Sequence, residues 1–278
     1  MMDLYNETCF ECSKIITQKY STSFSNGIRA FSKKFHYPIY AIYGFVRLAD
    51  EIVDTFHDYD KLNLISDFKV KTFEAIENKI SLNPVLHSFQ HVVNTYSINH
   101  NLIKAFLYSM EMDLDETHYS ESGYKEYIYG SAEVVGLMCL KVFCENDQAL
   151  YEKLTPSAKS LGAAFQKINF LRDIQSDYED RGRTYFPNID FNNFTEAEKI
   201  CIEKEIKSDF DHALEGIRQL PASCKKGVYI AYVYYTALFN KIKNTPANQV
   251  AQKRIRVSDK IKMLLMARAM FKIKLNIV

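Results

Sequence analysis

Residues 161–187, LGAAFQKINFLRDIQSDYEDRGRTYFP, contain two carboxylates at a spacing that constrains how this part of the chain can fold. Asp173 and Asp177 are four residues apart, and on a helix this spacing stacks them on one face, about 5–6 Å apart at Cβ. Like charges in this arrangement repel each other and weaken the helix unless cations lie between them. Apolar residues precede the acids, so the stretch predicts a helix that presents carboxylates to a bound cation rather than to bulk solvent.

A second stretch, AIYGFVRLADEIVD at residues 41–54, repeats this pattern with Asp50 and Asp54 four residues apart. Arg47 lies three residues before Asp50. Oxygen ligands suit Mg²⁺, which prefers one or two carboxylates, waters and substrate phosphates to an all-protein cage. One acidic pair alone is usually a solvated helix face, and two pairs could form a structural ion-pair network. Two carboxylate helices that face each other across metal would instead bind a diphosphate.

A loop is predicted at residues 180–187, directly after the second acidic helix. It carries Arg181 and Arg183 within a few residues of Asp177. The planar guanidinium group of arginine suits phosphate oxygens. A purely structural ion-pair network would not need this loop, so we expect the loop to close over a diphosphate.

Composition favours long helices over strands. Apolar residues make up 47% of the 278 residues, and glycine (9) and proline (6) are scarce, so few breakers interrupt the chain. Apolar residues recur every three or four positions, which predicts helices at residues 38–56, 62–80, 99–114, 124–143, 157–178, 196–220, 222–243 and 258–275. Pro38 fits a first helical turn, whereas Pro84, Pro156, Pro221 and Pro246 fall between predicted helices. We predict one all-α domain over residues 1–278.

Positive charge is concentrated in the last part of the sequence. From Lys241 onward there are ten lysines or arginines and one acid, Asp259, although the net charge of the chain is +1. Such a segment could contact phosphates, an anionic membrane surface or nucleic acid. Nucleic acid is not an expected partner, because no zinc-finger, helix-turn-helix or RNA-binding motif accompanies the charge. Residues 261–272 predict a basic amphipathic helix, whose apolar face could be core or could touch a membrane.

Neither export nor a membrane span is predicted. The first residues are acidic and lack the apolar segment of a signal peptide, and no run approaches 18 apolar residues. Six scattered cysteines suit a reduced compartment. We expect a cytoplasmic protein with free thiols, in contact with the inner face of the membrane only peripherally.

Two further spacings look like metal sites but lack the residues that would complete them. Cys9 and Cys12 have no second cysteine pair, and His87 and His91 lack the glutamate of a helical zinc motif. The sequence also lacks a glycine-rich dinucleotide fingerprint, so NADPH is not expected.

The chain resembles the squalene/phytoene synthase family of head-to-head prenyl transferases. Residues 161–187 match one family signature at each defined position, through Leu161, Gly162, Gln166, Asn169, Arg172, Asp173, Asp177, Arg183, Tyr185 and Pro187. Residues 40–54 are similar to the first aspartate-rich helix of the family, and residues 20–24 to its serine-rich element. Residues 110–114 and 254–258 also look familial, whereas Glu51, Glu133 and Thr236 depart from the family pattern.

The resemblance implies an isoprenoid-synthase-type helical bundle around a central apolar cavity. It implies Mg²⁺, with Mn²⁺ as a substitute, held by Asp50, Asp54, Asn169, Asp173 and Asp177. It implies substrate contacts from Ser21, Ser23, Phe24, Tyr43, Arg47, Gln166, Asn169, Arg172, Arg183 and Tyr235. The implied catalytic residues are Asp50, Asp54, Asp173 and Asp177, and the implied candidates for accepting protons are Tyr127, Tyr185 and diphosphate itself.

The implied reaction couples two allylic diphosphates through a cyclopropylcarbinyl diphosphate and releases diphosphate. We expect two molecules of geranylgeranyl diphosphate to give phytoene, as in carotenoid biosynthesis, by a monomer or homodimer. Squalene or dehydrosqualene synthesis from farnesyl diphosphate is the alternative within the family. Outside the enzymes, the alternative is a non-catalytic helical protein that binds Mg²⁺.

Overall fold

Helices dominate the computed structural model, which describes residues 1–115, 118–145, 147–189 and 193–275. In chain order the helices are α1 (Met2–Tyr20), α2 (Thr22–Arg29), α3 (His36–Asp54), α4 (Lys61–Asn78), α5 (Pro84–Tyr96), α6 (His100–Asp115), α7 (Glu121–Ile128), α8 (Val134–Cys144), α9 (Gln148–Arg181), α10 (Glu196–Gln219), α11 (Ala222–Lys243), α12 (Ala247–Gln252) and α13 (Asp259–Lys274). Within the described ranges the only extended pairing is an isolated bridge between His118 and Thr184. The all-α prediction is confirmed.

Side-chain caps explain several helix starts, including some that periodicity missed. Ser21 begins α2 by accepting a hydrogen bond from the Phe24 N–H, and Asn83 caps α5 directly before Pro84. Thr195 and Glu198 form a reciprocal capping box at the start of α10. The sequence analysis did not predict α1, α2, α5 or α12, and two of these, α2 and α12, have only eight and six residues over which an apolar period could repeat.

The predicted helix break at Pro156 is wrong. Helix α9 begins at Gln148 and runs through Pro156 to Arg181. Proline removes one backbone hydrogen bond inside a helix, and that loss is tolerated here because α9 packs along both α8 and α10. The continuous helix is what carries one set of side chains from the charged Arg172 down to the apolar Leu154.

A π-helical segment, Tyr129–Glu133, joins α7 to α8. The combined stretch Glu121–Cys144 is long and apolar enough to cross a membrane by length and composition, with a mean hydropathy of 1.4 in its most apolar window. That window is 56% buried inside the protein, and a helix in a protein core can have the same length and apolar composition. Gly130 permits close packing here, because a Cβ at this position would lie 2.5 Å from the Ala105 carbonyl oxygen.

Two apolar clusters hold the bundle together. One is centred on Phe45, which stacks on Phe89 with ring centroids 3.9 Å apart and joins α3 to α5. The other lies between α9, α10 and α11 and includes Phe170, Ile206 and Leu238. A cavity lies between the helices that carry these clusters.

Candidate active site

The cavity has a volume of about 550 Å³ and is lined by α2, α3, α8, α9, α10 and α11. Polar side chains gather at one end: Ser21, Ser23, Arg47, Gln166, Asn169, Arg172 and Arg254. The remaining lining is mainly apolar and includes the glycines Gly27, Gly136, Gly162, Gly216 and Gly227. The polar end is the mouth of the cavity, and an apolar chain could extend from it into the bundle.

Aromatic rings form part of the wall directly below the mouth. Phe24 and Tyr43 stack with centroids 5.0 Å apart, and Phe165 and Tyr235 stack at 3.8 Å. Burial raises the pKa of Tyr43 to about 12, so its phenol is neutral at physiological pH. Three of the residues predicted to contact substrate, Phe24, Tyr43 and Tyr235, therefore line the same cavity.

A second, more polar pocket of about 540 Å³ adjoins the mouth. It shares Tyr20, Ser21, Ser23, Phe24, Arg172, Tyr235 and Arg254 with the cavity lining. Its further lining includes Arg256 and Lys262, so four cationic side chains surround it. This concentration of positive charge suits a phosphate-bearing ligand.

The acidic cluster of α9 is held by arginines. The Arg172 Nε donates to Asp173 at 3.0 Å, and the Arg254 Nε lies 2.7 Å from the other oxygen of that carboxylate. Sequence reasoning assigned no role to Arg254, and its only signal was the family-like stretch at residues 254–258. One turn earlier, Asn169 accepts a hydrogen bond from the Tyr235 hydroxyl at 3.3 Å and donates to Gln166 at 3.4 Å.

The acidic cluster of α3 has a different set of partners. Arg47 contacts Glu51 and lies 3.9 Å from Asp50, and its guanidinium group lies over the Tyr20 ring. The Arg47 Nε is buried and has no hydrogen-bond partner among the described residues, so the mouth of the cavity holds an unused donor. Asp54 binds Arg183 at 3.2 Å.

Asp113 on α6 organises the residues behind Arg183. Its carboxylate accepts hydrogen bonds from Tyr127 at 2.7 Å, from Tyr119 at 3.1 Å and from Tyr185 at 3.3 Å. Its backbone carbonyl accepts another from the Arg183 guanidinium at 2.6 Å. Burial raises the pKa of the Asp113 carboxyl to about 6, and the positive charge of Arg183 opposes that rise. The sequence analysis assigned no role to Asp113, for which the signals were an acid within an apolar helix and the family-like stretch at residues 110–114.

Tyr127 and Tyr185 lie in this buried cluster and do not line the cavity. Tyr185 stacks on Phe170 with centroids 4.1 Å apart. Burial, followed by the charge of Asp113, raises the pKa of both phenols above the ordinary value. Each phenol is therefore protonated and donates to Asp113. The proton-transfer role that the resemblance implies for them stays a prediction.

The loop after the second acidic helix begins at Gly182, later than predicted, because α9 continues to Arg181. Gly182 has a φ of +64°, a left-handed conformation that glycine adopts without strain. The Arg183 N–H donates to the Asp177 carbonyl oxygen at 2.9 Å, and the Arg183 side chain is buried against Asp54 and Asp113. The loop thus lies docked on both acidic regions. The side chain of Arg181 lies outside the described part of the structure.

Of the five predicted metal ligands, only Asn169 lines the cavity. Asp50 and Asp173 lie near the arginines of the mouth, whereas Asp54 and Asp177 are not among the lining residues. By donor type, these five side chains fit a divalent cation bound together with phosphate. Carboxylate and amide oxygens are available from Asp50 and Asp54 on α3 and from Asn169, Asp173 and Asp177 on α9. Among the described residues, no group of three or more acids, histidines or cysteines forms a ready metal cage. Mg²⁺ does not need one, since it usually binds through one or two carboxylates, waters and substrate phosphates.

Three other features of the sequence are placed by the structure: Glu133, His87 and the cysteines. Glu133 pairs with Lys159 at 3.1 Å and does not line the cavity, so its charge is directed away from an apolar ligand. His87 is buried and contacts Asn6 at 2.8 Å. All six cysteines are free, as predicted.

Comparisons with known proteins identify relatives of this chain in sequence and in fold. Residues 17–200 match the profile of the squalene/phytoene synthase family. A 4,4'-diapophytoene synthase of Staphylococcus haemolyticus is 28% identical over 212 residues, which are 75% of this chain and 72% of the relative. Phytoene synthase 1 of Solanum lycopersicum is 25% identical over 292 residues, covering 95% of this chain and 68% of that one. A dehydrosqualene synthase crystal structure in complex with a ligand shares the fold, with a TM-score of 0.81, 21% identity and coverage of 97% and 98%.

Proposed function

Because this chain belongs to the squalene/phytoene synthase family and is therefore a prenyltransferase of the head-to-head type, we propose that it joins two molecules of geranylgeranyl diphosphate to make phytoene. One observation carries this proposal. An apolar cavity opens at a mouth where serines, arginines and two amide side chains gather, and two of these arginines, Arg172 and Arg254, contact Asp173 of α9. Such a site can hold two diphosphates outside and two prenyl chains inside.

The substrate length is proposed from the relatives and from the cavity lining. Several relatives are named phytoene synthases. Five glycines and the small residues Ala132, Ser157, Ala158 and Ala213 line the cavity, which leaves room for long chains. Dehydrosqualene or squalene synthesis from farnesyl diphosphate is the second candidate, favoured by the Staphylococcus relative and by the fold neighbour.

We assign the two diphosphates to the two sides of the mouth. Ser21, Ser23 and the unused Nε donor of Arg47 would bind one of them. Arg172 and Arg254 would bind the other, beside the basic pocket that also contains Arg256 and Lys262. Hydrogen bonds from arginine to phosphate are strong because both partners are charged.

Asp50 and Asp54 would hold Mg²⁺, or Mn²⁺, beside one diphosphate, and Asn169, Asp173 and Asp177 would hold it beside the other. A bound divalent cation neutralises diphosphate charge and makes it a better leaving group. The arginines that now pair with Asp173 and Asp54 would be free to bind phosphate oxygens once cations occupy those carboxylates.

The apolar part of the cavity protects the reacting carbon. Loss of diphosphate leaves an allylic cation that water would capture, so the walls must exclude water. The faces of Phe24, Tyr43, Phe165 and Tyr235 can stabilise such a cation without attacking it. The second prenyl chain then attacks, and loss of a proton gives the cyclopropylcarbinyl diphosphate.

We propose that released diphosphate accepts this proton. Tyr127 and Tyr185 already donate to Asp113 and lie away from the cavity lining. A second ionisation, a rearrangement and the loss of a second proton, which the second released diphosphate would accept, would then give phytoene without NADPH.

A competition assay tests the product. Geranylgeranyl and farnesyl diphosphates are supplied together with Mg²⁺, with and without NADPH, and the hydrocarbons are identified by mass. We expect a C40 hydrocarbon in both conditions. A dominant C30 product, or a strict requirement for NADPH, would overturn the phytoene assignment and leave the head-to-head reaction intact.

We also propose peripheral contact with an anionic membrane through α13. Met263, Leu264 and Phe271 are exposed on this helix, which also carries five lysines or arginines. Exposed apolar side chains beside positive charge suit the surface of an anionic bilayer. Because α13 begins beside the basic pocket, such contact would bring the mouth close to a lipid phase.

A further inference from the structure

The far end of the cavity can be located from the helices that line it. On α9 the lining residues extend from Arg172 at the mouth to Leu154, a distance of about 27 Å at the helical rise per residue. On α11 they extend from Tyr235 to Gly227, and on α2 from Ser21 towards Phe31. On α9 and α11 the lining thus runs from the polar mouth back towards the start of the helix, and on α2 it runs from the start of the helix to Phe31, just after its end. In all three cases it leads from the polar mouth to an apolar end.

Phe31 lies at this end and rests directly against Gly227. A Cβ at position 227 would lie 2.1 Å from the Phe31 Cε1 atom, so the ring occupies space that only a glycine leaves open. The backbone around Phe31 is also fixed, because the Ser32 N–H donates to the Ser223 carbonyl oxygen at 2.8 Å. The Phe31 ring cannot move towards α11.

A second ring supports Phe31 from another side. The centroids of Phe31 and Phe143 are 4.9 Å apart, and Phe143 packs edge-on against Phe35 at 5.5 Å. Phe35 is completely buried, so Phe143 has a rigid neighbour behind it. Phe31 and Phe143 both line the cavity, whereas Phe35 does not.

We infer that Phe31, seated on Gly227 and supported by Phe143, closes the cavity and sets the longest prenyl chain that the enzyme accepts. The inference rests on the proposed function, since it assumes that prenyl chains fill the cavity. Shortening the Phe31 side chain opens space beyond the present end. A chain with one more isoprene unit should then fit, because the ring that blocks its last carbons is gone.

The test measures binding, so that it does not depend on turnover. Farnesyl, geranylgeranyl and geranylfarnesyl thiodiphosphates are titrated with Mg²⁺ into the wild type, Phe31→Ala and Phe31→Leu. The reference ligand is the analogue that the wild type binds most tightly. For each protein we divide its affinity for the analogue one isoprene unit longer by its affinity for this reference ligand. This ratio should rise at least about tenfold in Phe31→Ala and less in Phe31→Leu, as expected for an enlarged apolar pocket.

Phe73→Leu is the matched control, because Phe73 packs on the core without lining the cavity. It should leave the ratio at the wild-type value even if it lowers thermal stability. If Phe31→Ala does not fold, Phe31→Leu decides the test. An unchanged ratio in a folded Phe31 variant overturns the inference. If the wild type makes no coupled hydrocarbon, the proposed function is refuted. The affinity ratio would still show whether Phe31 limits the length of the bound chain.

Discussion

The two acidic regions have the same carboxylate spacing but are built differently. Asp54 on α3 pairs with Arg183, which is buried and tied to Asp113 and its three tyrosines. Asp173 on α9 pairs with Arg172 and with Arg254, and Arg254 is half exposed. The first region is thus joined to the core, whereas the second is joined to a basic pocket open to ligands.

The carboxylate spacing alone does not show which acidic region matters more for folding and which for ligand binding, but the partners of each region do. Truncating a partner in a buried network leaves other charges unpaired, which costs several kcal/mol. An exposed ion pair is worth at most about 1 kcal/mol of stability. We therefore expect changes around Asp113 to affect folding, and changes around Arg254 to affect ligand binding.

The largest effect should come from either acidic cluster itself. Asp54→Asn and Asp173→Asn should each lower turnover by several orders of magnitude, because each removes a carboxylate that would hold metal beside a diphosphate. Diphosphate release with and without Mg²⁺ measures this loss. Asp67→Asn, an exposed acid on α4, is the matched control and should retain activity. Near-normal turnover in either cluster variant would break the proposed equivalence of the two regions in catalysis.

The next effect is a change in stability with pH, and it should come from Asp113, which is linked to Asp54 of α3 through Arg183. The pKa of Asp113 is about 6 in the fold and about 3.9 in an unfolded chain, so the native state binds this proton more tightly. The associated stability is present below about pH 4 and is lost as pH rises to about 6, by up to about 3 kcal/mol.

Urea unfolding of the wild type and Asp113→Asn between pH 4 and 7 checks this expectation. The asparagine variant cannot titrate at this position, so the stability advantage of the wild type over it should shrink as pH rises. Other carboxylates are common to both proteins and cancel in the difference. A difference that stays constant with pH would show that Asp113 does not titrate in this range.

A smaller effect should be confined to the α9 region. Arg254→Gln should raise KM for the prenyl diphosphate about tenfold, because a charged hydrogen bond to phosphate is worth about 1.5–3 kcal/mol. Its thermal melting should stay near that of the wild type, since the residue is half exposed. Lys207→Gln removes another exposed ion pair on α10 and should change neither quantity. A large loss of stability with unchanged KM would reverse the roles assigned to the two regions.

The smallest effect concerns α13, which begins beside the basic pocket of the α9 region. Replacing Met263 and Leu264 with serine should reduce flotation with anionic liposomes at low salt, because these exposed side chains would enter the lipid surface. Leu82→Ser, which changes an exposed leucine elsewhere, should float like the wild type. A wild-type protein that does not float would refute the membrane proposal.

The local sequence pattern predicted the helical class, the two acidic helices and the arginine loop. This was possible because carboxylate spacing and the period of apolar residues depend only on residues close together in the sequence. It could not predict Asp113 or Arg254, whose partners are far away along the chain and meet them only in the fold. Pro156 misled the prediction because packing along α8 and α10 outweighed a local helix breaker. The end of the cavity at Phe31 likewise depends on contacts between helices that one sequence does not display.

The most direct test of the central claim is the stoichiometry of the wild-type reaction. The purified protein is supplied with geranylgeranyl diphosphate and Mg²⁺, and both inorganic diphosphate and organic products are counted. Coupling at a mouth that serves two diphosphates predicts two diphosphates released for each coupled hydrocarbon, with both products lost in Asp54→Asn and in Asp173→Asn. Release of diphosphate with only uncoupled prenyl alcohol, or no release at all, would contradict the account.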